Sequence, residues 1–187
     1  MVSRVTHPYD LLYDIRRLIS VYLRRVVDSC SLRDAPSITY RGIRFVHASD
    51  EDEPTLAFEG LKKACDLIEY YDPYQFRQLC RLIHTITVEE ELPARAVYFV
   101  GTSICAVTEK LLTETTASVA AALVHEATHA RLDGFGIRQR GHRLMRIETI
   151  CMKAEIDFVK HFPPDPLLDD WIAARMKEQL GRAKDFG

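Results

Sequence analysis

Residues 123–130 read Leu123-Val124-His125-Glu126-Ala127-Thr128-His129-Ala130, inside a helix predicted over about residues 115–133. Ala117, Val119, Ala120, Ala121, Ala122, Leu123, Val124 and Ala127 make that helix apolar nearly all round, the pattern of a buried helix. Two histidines and a glutamate in such a helix need partners, because burying a polar group without one is costly. Residues four apart differ by about 40° in direction and one turn in height. His125 and His129 therefore point the same way and can grip a single ion. Glu126, next to the first imidazole, projects toward the edge of the same site and can hold a water there. Neutral imidazole is a good zinc ligand, and zinc lowers the pKa of its water toward ~7. The plain alternative is a pair of hydrogen-bonded core histidines beside a carboxylate.

Zinc held by two histidines needs a third protein ligand. Asp133-Gly134-Phe135-Gly136 ends the motif helix with glycines suited to a C-cap. The next helix, predicted over about residues 139–162, carries Leu144, Glu148, Cys151, Glu155, Phe158 and Phe162 on one stripe. Two carboxylates in an otherwise apolar face call for a metal or a cationic partner. They are seven residues apart, about 10 Å along the axis, too far to ligate one ion together. Measured from the turn between the helices, Glu148 lies nearer the level of His129 than Glu155 does. Glu148 ranks first as ligand, with Glu155 behind it orienting a histidine N–H. His142 is nearer still, but projects about 100° or more off the Glu148 stripe and ranks third.

Over roughly residues 94–162 the chain resembles the zincin metallopeptidases, of the gluzincin type: an H-E-x-x-H helix followed by a glutamate on the next helix. The resemblance implies an α+β fold in which a small mixed or antiparallel sheet lies against the motif helix and its edge strand binds substrate as an added strand. It implies His125 and His129 as zinc ligands, Glu148 as the third, and Glu126 as general base. Met152 stands four residues after Glu148, where the best-known members carry Asp or Asn, and no third histidine follows at the metzincin spacing. The activity implied is hydrolysis of peptide bonds in a peptide or protein by a metal-activated water. His142, Arg143 and Arg146 are candidate donors to the oxyanion. The alternative is a zincin-like domain that binds metal or a protein partner without turnover.

Outward from this core, residues 85–89, 96–100 and 104–107 read as short strands, with Gly101-Thr102-Ser103 joining the last two in a hairpin. Helices are expected from Pro54 to about Tyr71 and again through Phe76, Leu79, Cys80, Leu82 and Ile83. Residues 37–47 read as a strand or short hairpin. An amphipathic helix is expected over about residues 8–28, and a last one over about 166–181. The 187 residues then form one domain: a mainly helical part over 1–93, the metal-site core over 94–162, and a C-terminal helix over 163–187.

Composition excludes several function classes. Lys plus Arg is 25 against 27 Asp plus Glu, a net charge of −2, which argues against a dedicated nucleic-acid binder. No stretch approaches the roughly 18–20 apolar residues of a membrane span. Asp10, Asp14, Arg16 and Arg17 interrupt the first apolar stretch, unlike a signal peptide. Five cysteines lie scattered with no C-x-x-C pair, which fits reduced core thiols in a cytoplasmic protein.

Overall fold

The structure is a computed structural model that describes residues 34–48, 54–92, 94–137, 142–163, 170–174 and 176–177. Strands β1 (Ser37–Tyr40) and β2 (Ile43–His47) open the described chain, followed by helices α1 (Pro54–Tyr71) and α2 (Pro73–Leu82). Strands β3 (Thr85–Glu89), β4 (Ala96–Tyr98) and β5 (Ile104–Thr108) come next, then a single turn α3 (Glu109–Leu112). The long helices α4 (Thr116–Gly134) and α5 (His142–Val159) complete the set, and residues 170–174 are again helical. The helix expected over 8–28 lies outside the described residues.

The five strands form one mixed sheet in the order β1-β2-β3-β5-β4. Hairpins sit at its two edges, β1 with β2 and β4 with β5, while β2–β3 and β3–β5 are parallel. The first hairpin turns through Arg41 at φ 51° and Gly42 at φ 84°, the positive dihedrals that a two-residue turn needs to follow the strand twist. The sheet spans both sides of residue 93. Three of its strands, β1 to β3, lie before that residue and are continuous with the two after it. Residues 37–47 and 85–89 look local in sequence, and only their parallel pairing to each other and to β5 joins them to the core.

Registered rows cross the sheet. Phe45 pairs with Ile86, Ile86 with Cys105 and Cys105 with Tyr98. This row belongs to one apolar core with Leu61, Ala64 and Ile68 of α1, Leu79 of α2, Leu123 and Ala127 of α4 and Phe158 of α5. Cys65, Cys105 and Cys151 are buried free thiols and Cys80 is half-buried, while Cys30 lies outside the described residues. Among the described residues, no helix is long and apolar enough to cross a membrane.

Helix α4 is the centre of the molecule. It touches α1, α2, α3, α5 and β4, which is why its apolar residues surround the axis instead of forming one stripe. Alanines at 120, 121, 122, 127 and 130 are all buried and let these neighbours approach closely. Thr115 caps its start, accepting from the Ser118 N–H at 3.1 Å. At its end Gly136 adopts φ 71°. The Gly136 N–H donates to Asp133 O at 2.7 Å and the Ile137 N–H to Leu132 O at 3.0 Å, the paired bonds of a Schellman cap.

Leu123→Ala should therefore destabilise the fold by about 2–5 kcal/mol, the usual cost of a core cavity, because Leu123 is fully buried where α4 meets its neighbours. Denaturant unfolding of the variant should show a lower midpoint at an unchanged slope. A midpoint matching wild type would mean that α4 is not packed on all sides.

Candidate metal centre

Helices α4 and α5 pack against each other, and the site lies between them. From Gly134, the last residue of α4, His129 lies about 7–8 Å back along the axis; from His142, the first of α5, Glu148 lies about 9 Å in. The two levels therefore match within the described part of α5, His142–Val159, and the expected start near residue 139 lies outside the described residues.

The two imidazoles and Glu148 meet. His125 Nε2 and His129 Nε2 are 3.2 Å apart. Glu148 Oε2 lies 3.5 Å from His125 Nε2, and Glu148 Oε1 lies 3.4 Å from His129 Nε2. Zinc bound at about 2.0–2.1 Å by nitrogen and oxygen in a tetrahedron separates its ligands by about 3.3–3.4 Å. Each of these separations is close to such an edge, with the two rings facing different oxygens of the one Glu148 carboxylate, and the donor types suit the ion. Behind them Glu155, 1% exposed, lies 3.2 Å from His125 Nδ1 through its Oε2. A proton on Nδ1 shared with Glu155 leaves Nε2 free to face Glu148 and His129. The side chain of His142 lies outside the described residues.

Electrostatics follow from this packing. Burial pulls the His125 pKa down, but the bonds to Glu148 and Glu155 and the charge of Glu126 outweigh it, so the imidazole is raised to about 10. Burial likewise works to raise Glu148, and the bonds to His125 and His129 win, holding its carboxyl well below the usual range. A proton on His125 thus supplies positive charge beside the carboxylates in the metal-free chain.

Cys151 forms a second three-donor group, its sulfur and a ring nitrogen each of His125 and His129 lying within 4.8 Å of one another. Burial, and then the charge of Glu148, push this thiol well above its ordinary range. Zinc takes thiolate, so Cys151 would have to lose its proton to ligate, whereas Glu148 is held in the charged form beside both rings; both stand as third-donor candidates. The stripe Glu148-Cys151-Glu155 carried this signal in sequence, since three residues on a helix is one turn.

A cleft of about 190 Å3 opens onto His125 and Glu148 and is lined also by Arg95, Ala96, Ala122 and Glu126 among others, while His129 is not among its lining residues. Glu126 is 7% exposed, and its Oε2 accepts from the Tyr98 N–H at 2.6 Å. Bonds from Arg95 O and the Phe99 N–H run to β5, so the intervening amides of Ala96 and Tyr98 point away from it, toward α4 and the cleft. Arg143 and Arg146 are exposed and are not among the residues that line the cleft. The cation at the cleft wall is Arg95, held through Nη2 by Glu114 at 2.5 Å. Neither Arg95 nor the Tyr98 amide was legible as part of the site, because only the pairing of β4 brings them to α4.

The pH dependence of the metal-free protein follows. The His125 pKa is raised above its ordinary 6.5, so its contribution is complete below that value and fades as pH rises through about 10. Glu148 is lowered from 4.5, so its contribution is complete above that value and fades as pH falls further. In chelator, the cluster should stabilise wild type most between about pH 4.5 and 6.5, with a steady decline toward pH 10. His125→Ala should flatten that decline. Superimposable melting profiles for the two proteins would show that the cluster is not coupled as described.

No protein-family model, curated protein or solved structure matches this chain, so the reading of the cleft rests on its own donors and distances.

Proposed function

We propose that the protein is a zinc-dependent peptidase of zincin-like, gluzincin-type architecture, with His125, His129 and Glu148 as ligands and Glu126 as general base. The observation that carries the proposal is the meeting of His125, His129 and the two oxygens of Glu148 at 3.2 to 3.5 Å, with Glu126 on the wall of the cleft that His125 and Glu148 also line. When bound, zinc supplies a Lewis acid that acidifies a water and polarises a carbonyl. The chain's own groups do the rest. Glu126 takes the proton of the attacking water and returns it to the leaving amine. Its direction is fixed by the Tyr98 N–H. Glu155 holds the His125 ring by Nδ1. The outward backbone of Ala96 offers the peptide an edge to pair with as an added strand. The substrate is then a peptide or protein, not a nucleic acid or a membrane, and the compartment a cytoplasm that keeps the buried thiols reduced.

A second reading, a zincin-like metal-binding or protein-interaction domain without turnover, has one observation in its favour. The Glu126 carboxylate satisfies a buried backbone amide, so the residue has a structural reason to be there whether or not it is a base.

Glu126→Gln separates the two. The amide oxygen of glutamine can still accept from the Tyr98 N–H, but lacks the basicity to take a proton from water. Purified wild type should carry about one zinc per chain, Glu126→Gln the same, and His129→Ala little. Peptide-library digestion should show cleavage by wild type that falls at least ~100-fold in Glu126→Gln, the lower range for general-base catalysis. Zinc in both with cleavage in neither would favour the second reading. Undiminished cleavage by zinc-replete Glu126→Gln would remove the base from the mechanism.

A further inference from the structure

β4 is three residues long, and among the described residues β5 is the strand that pairs with it. On its other side it is tied to α4 by polar contacts. Glu126 Oε2 accepts from the Tyr98 N–H at 2.6 Å. Seven residues further along α4, on the same face and about 10 Å away, Asp133 Oδ2 accepts from the Gly101 N–H at 2.7 Å. The Tyr98 hydroxyl shares its one proton between Thr102 O at 2.6 Å and Asp133 Oδ2 at 3.0 Å. Tyr98 is therefore held at both ends, its amide by Glu126 and its phenol by Asp133. Glu126 in turn is aimed by an amide whose place depends on the Asp133 end of the clamp.

We propose that Asp133 and the Tyr98 hydroxyl are positioning residues that set the direction of Glu126 by holding β4 against α4. The inference rests on the peptidase reading for its catalytic consequence, though not for its geometry. A three-residue edge strand has little ladder of its own, so the carboxylate that anchors its turn decides where the Tyr98 N–H lies. Neither residue is among those that line the cleft. Asp133 and Tyr98 act through Glu126.

The test uses the zinc-loaded full chain, with Asp133→Ala, Tyr98→Phe and the conservative Asp133→Asn, whose amide oxygen can still accept from Gly101. Hydrogen exchange at the Tyr98 amide, read by NMR against Ile86 in the central strand β3, is the primary measurement. Asp133→Ala should speed exchange at Tyr98 about 10–100-fold, the loss of a hydrogen bond to a charged group, and leave Ile86 unchanged. Asp133→Asn should recover most of the protection. Zinc content should stay at wild-type level. On a peptide that wild type cleaves, kcat should fall about 10–100-fold, the range expected for a misplaced reacting group, with KM within about twofold. Unchanged Tyr98 exchange in Asp133→Ala, or a fall in kcat that tracks lost zinc, overturns the proposal. Should Asp133→Ala not fold, the same readings on Tyr98→Phe decide. If wild type cleaves no peptide, the peptidase reading falls, and exchange at Tyr98 alone upholds or overturns the clamp.

Discussion

The burial of two imidazoles in a helix that is apolar on every side is the constraint on which this structure depends. Helices α1, α2 and α5 and strand β4 pack around α4, leaving His129 buried and His125 open only to the cleft, so both rings need partners inside the protein. α5 supplies them as carboxylates, Glu148 between the rings and Glu155 behind one of them. Four polar groups at such spacing are costly to bury unless their charges balance. A proton on His125 offsets part of that charge in the metal-free chain, and a divalent cation at the same point would offset it more fully, with proton release on binding. The α4–α5 packing and the site are therefore one feature: the polar groups that would weaken a simple helix pair become the reason that the pair has a fixed register.

The sheet contributes position rather than donors. Because β5 inserts between β3 and β4, β4 is an edge among the described residues, and its Tyr98 amide turns to α4 for a partner. An edge needs cover, and α4 provides it with carboxylates in place of a strand. Glu126 thus serves the fold and, in the proposed reaction, the chemistry. That double role explains how a short strand remains beside the cleft.

Much of the element inventory was readable from sequence. The strand at residues 85–89, the β4–β5 hairpin, the two long helices and the N-capped helix after Asp72 follow from local patterns of period two and 3.6 and from capping residues. The H-E-x-x-H spacing and the Glu148-Cys151-Glu155 stripe were legible for the same reason, since helical geometry converts sequence separation directly into direction. The relative rank of Glu148 and Glu155 was less legible, because it hangs on where α5 starts, and helix boundaries respond to capping and loop geometry more than to periodicity.

The sequence by itself determined which side chains share a helix face: His125 with His129, Glu148 with Cys151 and Glu155, Glu126 with Asp133. Only the tertiary structure decided which faces meet. The parallel pairing of β2, β3 and β5 joins segments about forty and twenty residues apart, and no local pattern encodes such a partner. The meeting of Glu126 with the Tyr98 amide is of the same kind. A backbone N–H is present at nearly every residue, so its role depends wholly on where the chain around it is held.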